Sequence, residues 1–86
     1  MAAAALAQAK RLDPKNPGIW FAEGSLALHD NHPQRAMALL LQGLQLDRKN
    51  PGAYFDLGNA QIMLGHYGAA LGAFEKAASL RPNFWE

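Results

Sequence analysis

Apolar residues recur along this chain at steps of three and four, the spacing that gathers side chains onto one face of a helix. Trp20, Leu26, Ala27 and Leu28 form one such stretch, and Ala36, Leu39, Leu40, Gly43, Leu44 and Leu46 form a second. Tyr54, Leu57, Gly58 and Ile62 make a third, followed by Ala70, Leu71, Phe74, Ala77 and Leu80. The β-branched residues are Ile19 and Ile62 alone, with no Val or Thr, so strands have no support. Between the stretches lie turn-forming clusters: Asp13-Pro14-Lys15-Asn16-Pro17-Gly18, Asp30-Asn31-His32-Pro33, Lys49-Asn50-Pro51-Gly52 and Gly65-His66-Tyr67-Gly68. Asn16 and Asn50 suit a helix N-cap, and the proline after each suits the first helical position. The pattern predicts five helices, over 2–12, 17–29, 33–46, 51–64 and 68–80. Their connections are short enough to make sequential neighbours antiparallel.

The same pattern repeats. Pro17-Gly18-Ile19-Trp20-Phe21 aligns with Pro51-Gly52-Ala53-Tyr54-Phe55 at an offset of 34 residues (51 − 17). That offset also superposes Gly24 on Gly58, His32 on His66, Ala36 on Ala70 and Leu46 on Leu80. Units are therefore expected over 17–50 and 51–84. Leu12, Asn16 and Ala2 keep the register backward, so 1–16 reads as the second helix of an earlier unit and 85–86 as the opening of a later one. Both ends are expected to be cuts through a longer array.

Composition narrows the function. Eighty-six residues allow one compact domain, too small for a large active-site architecture. Eight Lys and Arg against seven Asp and Glu leave a formal charge of +1, which is too weak a field to gather a phosphate backbone. The absence of cysteine excludes disulfides, thiolate nucleophiles and the common structural zinc sites. No apolar run is long enough to cross a bilayer, and the first residues lack the basic and apolar segments of a secretory signal. The expectation is a cytoplasmic protein, not an enzyme, without cofactor or metal and with neither nucleic acid nor membrane as partner.

These residues resemble the tetratricopeptide repeat. Its pattern of an aromatic, Leu-Gly, a small residue, an aromatic, a second small residue and a closing proline is met by Tyr54, Leu57-Gly58, Ala70, Phe74, Ala77 and Pro82. Trp20, Gly24, Ala36, Leu40 and Gly43 supply it in the preceding unit, and Ala2, Leu6, Ala9 and Pro14 in the leading fragment. The resemblance implies an all-α fold, a right-handed superhelix of antiparallel helix pairs. The small residues let helix backbones approach and the aromatics fill the gap beside them. Glu23 stands where the pattern has Leu, Gln61 where it has a Tyr-like residue, and Arg48 where it has Pro. A carboxylate at Glu23 is costly if desolvated and alone, so it should reach solvent or a donor.

The resemblance further implies a protein-interaction scaffold that binds a peptide or a partner segment in a concave groove lined by the first helix of each unit. Position by position, that groove falls on Gly18, Phe21, Ala22, Ser25, Leu28 and His29, then on Gly52, Phe55, Asp56, Asn59, Ile62 and Met63. Phe21 and Phe55 either anchor an apolar ligand side chain or pack on adjoining helices, while Ser25 and Asn59 suit a peptide backbone. The basic clamp of chaperone-tail binders is missing, since Phe21, Ser25 and Asp56 occupy its positions. The asparagine ladder of the repeats attached to sugar transferases is missing too, with Ala22 and Asp56 in its place. A rival reading is a docking or regulatory segment of a larger enzyme with its catalytic domain outside this chain.

Other chemistry is thin. His29 and His32 are three apart, but Pro33 breaks the helix there and only Asp30 adds a carboxylate. His32 and His66 read as polar turn residues. Gly65, Gly68 and Gly72 follow no strand and precede no Lys-Ser or Lys-Thr, so they are not a phosphate loop. Lys10, Arg11, Lys15, Arg48 and Lys49 lie near helix C-termini, where cations complement the dipole. Leu6, Leu12, Leu71, Phe74, Phe84 and Trp85 leave apolar surface on uncapped terminal helices, which predicts self-association.

Overall fold

The computed structural model describes residue 8 and residues 10–81, and all regular structure among them is helical. Residues 10–12 are helical and lead through a turn into α1 (Pro17–His29), α2 (Pro33–Leu46), α3 (Pro51–Met63) and α4 (Tyr67–Leu80). The expected beginning of the first helix, and with it Ala2, Leu6 and Ala9, lies outside the described residues, as do Pro82, Phe84 and Trp85.

Helix starts follow from the turn chemistry. The Asn16 side chain accepts a hydrogen bond from the Gly18 backbone N–H at 3.0 Å, and that of Asn50 accepts from Ala53 at 3.1 Å. Each thereby satisfies an orphan donor of the first turn, and Pro17 and Pro51 occupy positions where no N–H is needed. The turn inside each unit repeats bond for bond at the same offset. The His32 N–H donates to the Ala27 carbonyl at 2.8 Å and the His66 N–H to that of Gln61 at 2.8 Å. Asn31 (φ 66°) and Gly65 (φ 81°) occupy the left-handed position that this closure requires. The second of these closures ends α3 at Met63, one residue before the predicted limit, and Tyr67 then opens α4 one residue early. Tyr67 aligns with Pro33, the first residue of α2, and needs only helical backbone there.

Within each unit the two helices pack closely, and neighbouring units meet through α2 against α3 and α1 against α3. The core is chiefly alanine: Ala27, Ala36, Ala53, Ala60 and Ala73 with Leu40, Leu44 and Leu57. The small residues expected to permit close approach do so. A Cβ added to Gly24 would stand 2.7 Å from Leu40 Cγ, and one added to Gly58 would stand 2.6 Å from the Phe74 ring. Ala36 and Ala70 are buried beside them.

One core position breaks the apolar rule. Glu23 is only 8% exposed, and its Oε2 accepts from Lys10 Nζ at 3.0 Å, so the carboxylate has found the donor it was expected to need. Lys10 Nζ also lies 4.5 Å from the Trp20 ring centroid, and Trp20 Nε1 donates to the Pro14 carbonyl at 2.8 Å. Shifted by 34 residues, the same two positions hold Leu44 and Leu57, both in the core. A polar pair thus joins the leading segment to the first unit where two leucines join the first unit to the second. Glu23 Oε1 remains buried without a hydrogen-bond partner.

Buried ion pairs rarely outperform apolar pairs of similar volume, whereas removing one member strands the other. Lys10→Met alone should cost about 2–3 kcal/mol. Lys10→Leu combined with Glu23→Leu should be at least as stable as the wild type, to within about 1 kcal/mol. Urea denaturation of the single and double variants checks this; a double variant less stable than Lys10→Met contradicts it.

Candidate functional site

Of the twelve positions expected to line a groove, those on α1 form a stripe at helical steps: Gly18, Ala22, Ser25 and His29 are exposed, with Phe21 and Leu28 partly buried beside them. On α3 the corresponding stripe exposes Gly52, Phe55, Ile62 and Met63, with Asp56 and Asn59 half-buried. Because α1 and α3 are in contact, the two stripes lie on adjoining helices.

The aromatic pair is not equivalent. Phe21 lies with its ring over Gly43 of α2, where an added Cβ would meet the ring at 2.5 Å, so this side chain is held by packing within its own unit. Phe55 keeps 47% of its surface exposed, and its ring sits 5.5 Å from that of Phe74 at an interplanar angle of 55°. Tilted rings at this separation attract each other and fix the Phe55 ring while leaving an edge of it to solvent. Ile62 and Met63 expose 43% and 44% at the far end of α3. Large apolar side chains left this open on one helix give a ligand somewhere to bury its own apolar groups.

The polar residues of the face are Ser25, His29, Asp56 and Asn59. Asp56 carries an electrostatic strain that its sequence position did not announce. Burial holds its carboxyl above the ordinary carboxylate value, and no ion pair among the described residues reaches it. The sequence does contain a signal that reasoning by family position passed over: neither α1 nor α3 has a lysine or an arginine.

A concavity of about 590 Å³ lies elsewhere, between α1 and the start of α2. Lys10, Glu23, Leu26, Asp30, Arg35 and Leu39 are among its lining residues. It brings His32 near Asp30, but no group of three or more His, Cys, Asp or Glu among the described residues is arranged to hold a metal ion. His32 and His66 are exposed at the N-caps of α2 and α4 and make no capping side-chain hydrogen bond. Of the terminal apolar residues, Leu12 is 80% and Leu71 60% exposed, while Phe74 is partly buried. No helix among the described residues is long and apolar enough to cross a membrane.

The raised Asp56 pKa is also a statement about stability. The native state holds this proton more tightly than the unfolded chain, so the stability it contributes is present below the unfolded pKa and is lost as pH rises toward the folded one. Asp56→Asn should therefore be more stable than the wild type at pH 7. The advantage should vanish below about pH 3, where the carboxyl is protonated in both states. Urea denaturation at the two pH values measures this, and an Asn variant less stable than the wild type at neutral pH contradicts it.

Residues 51–84, which include α3 and α4, match the family model described as tetratricopeptide repeat. No curated protein matches the chain. The helices of the first unit repeat those of the second, turn for turn, 34 residues earlier, and the fold is that of a tetratricopeptide-type helical repeat.

Proposed function

We propose that the face shared by α1 and α3 binds an extended or helical segment of another protein. Tetratricopeptide repeats generally mediate protein–protein interaction. What supports this location in the present chain is the exposure of Phe55, Ile62 and Met63 along one helix, with Asn59 and Ser25 beside them. Apolar side chains that the fold does not cover lose little by being covered by a ligand, and the ligand gains the burial. Asn59 carries both a donor and an acceptor, so it can replace the water that a bound peptide backbone would give up. Phe55 is the anchor already fixed by the fold, since its ring is braced by Phe74 and little rotamer freedom is left to lose on binding.

The test is a pull-down with full-length protein, comparing the wild type with a variant carrying both Asn59→Ala and Met63→Ala. Neither change removes a residue of the buried core, so helicity and melting temperature should be retained. A specific companion should bind the variant at least about tenfold more weakly, as expected for loss of interface contacts worth about 1.4 kcal/mol or more. A companion held equally well by both proteins would place binding elsewhere.

A further inference from the structure

The distribution of charge over the four helices deepens the groove reading, on which this inference rests. All eight cations of the chain, Lys10, Arg11, Lys15, Arg35, Arg48, Lys49, Lys76 and Arg81, lie outside α1 and α3. The two helices carry two carboxylates between them, and these differ in circumstance. Glu23 is neutralised by Lys10 at 3.0 Å. Among the described residues Asp56 has no ion-pair partner: Arg35 of α2 and Lys76 of α4, the cations of the helices packed on α3, make no ion pair with it. His29, at the last position of α1, is the other titratable side chain of the exposed face.

We propose that this face selects a segment bearing an arginine or lysine, with the cation seated on Asp56 and apolar neighbours of that residue placed against Phe55 and against Ile62 and Met63. A half-buried carboxylate without a partner is a standing cost to the fold, and a cation from a ligand removes it at the moment of binding. Burial already raises the Asp56 pKa, which is the same cost seen through its proton. Asn59 lies one turn along α3 and shares the face, so its amide oxygen can accept from a guanidinium whose other edge faces Asp56. Arginine meets this arrangement better than lysine, since its planar fork donates to two acceptors at once. The same charge repels acidic segments, so the face discriminates as well as binds.

The test uses full-length protein and a phage-displayed library of random dodecapeptides, panned against the wild type and against Asp56→Asn. Peptides selected on the wild type should be enriched in arginine or lysine flanked by apolar residues, and the enrichment should be absent on Asp56→Asn. For one selected peptide, replacing its arginine by uncharged citrulline should weaken binding to the wild type at least tenfold and change binding to Asp56→Asn by less than twofold. Selected peptides that lose binding on Met63→Glu but show neither enrichment nor a citrulline effect would overturn the charge inference and leave the groove reading standing. Failure to select any peptide, or binding indifferent to Met63→Glu, would overturn both.

Discussion

The fold depends on how closely two helix backbones can approach within each unit. At Gly24 the missing Cβ is space that the fully buried Leu40 occupies, and at Gly58 it is space that the Phe74 ring occupies. Ala36 and Ala70 keep the facing helix small at the same level. A core built mainly from alanine gains little from the area of any one side chain, so its cohesion comes from many short contacts between nearby backbones. That arrangement is intolerant of added volume. Phe55, Ile62 and Met63 of α3 lie outside that core and stand open to solvent instead.

Repetition and variation then divide the labour. Caps, turns and glycine positions recur at the same offset, so the two units share one backbone plan. What differs is chemistry at matched positions. Lys10 and Glu23 stand where Leu44 and Leu57 stand one repeat later, which exchanges a nondirectional contact for one that demands a particular alignment of the leading helix on α1. Such a pair is a weak source of stability, but it penalises any register that separates its members. On the exposed face the variation includes Ala22 against Asp56 and His29 against Met63, so the two units present different electrostatics to a ligand.

Much of the fold was legible in the sequence because local rules and the repeat agreed. The limits of α1 and α2 coincide with those predicted, since Asn16, Pro17 and Pro33 leave the chain few alternatives. The one-residue shifts at the end of α3 and the start of α4 trace to Gly65, whose left-handed backbone closes the helix a residue earlier than apolar spacing alone implies. Glu23 was recognisable as a residue in need of a donor, though spacing could not say that Lys10 would supply it from another helix. The site was less legible. Helical periodicity places Phe21 and Phe55 at equivalent positions, and only the packing separates the ring held over Gly43 from the one left half open. Asp56 read only as a groove position, because the burial that unsettles its charge comes from tertiary contacts, which a single helix cannot reveal.

Close approach at Gly24 is the claim on which the rest stands, and two glycine substitutions measured by urea denaturation test it. Gly72 lies in α4 with nothing within 4 Å of an added Cβ, so Gly72→Ala should stabilise by up to about 1 kcal/mol through helix propensity alone. Gly24→Ala should instead destabilise by about 1–3 kcal/mol, because Leu40 is fully buried and has nowhere to move. Stabilisation by both substitutions would show that the paired helices do not meet where this account places them.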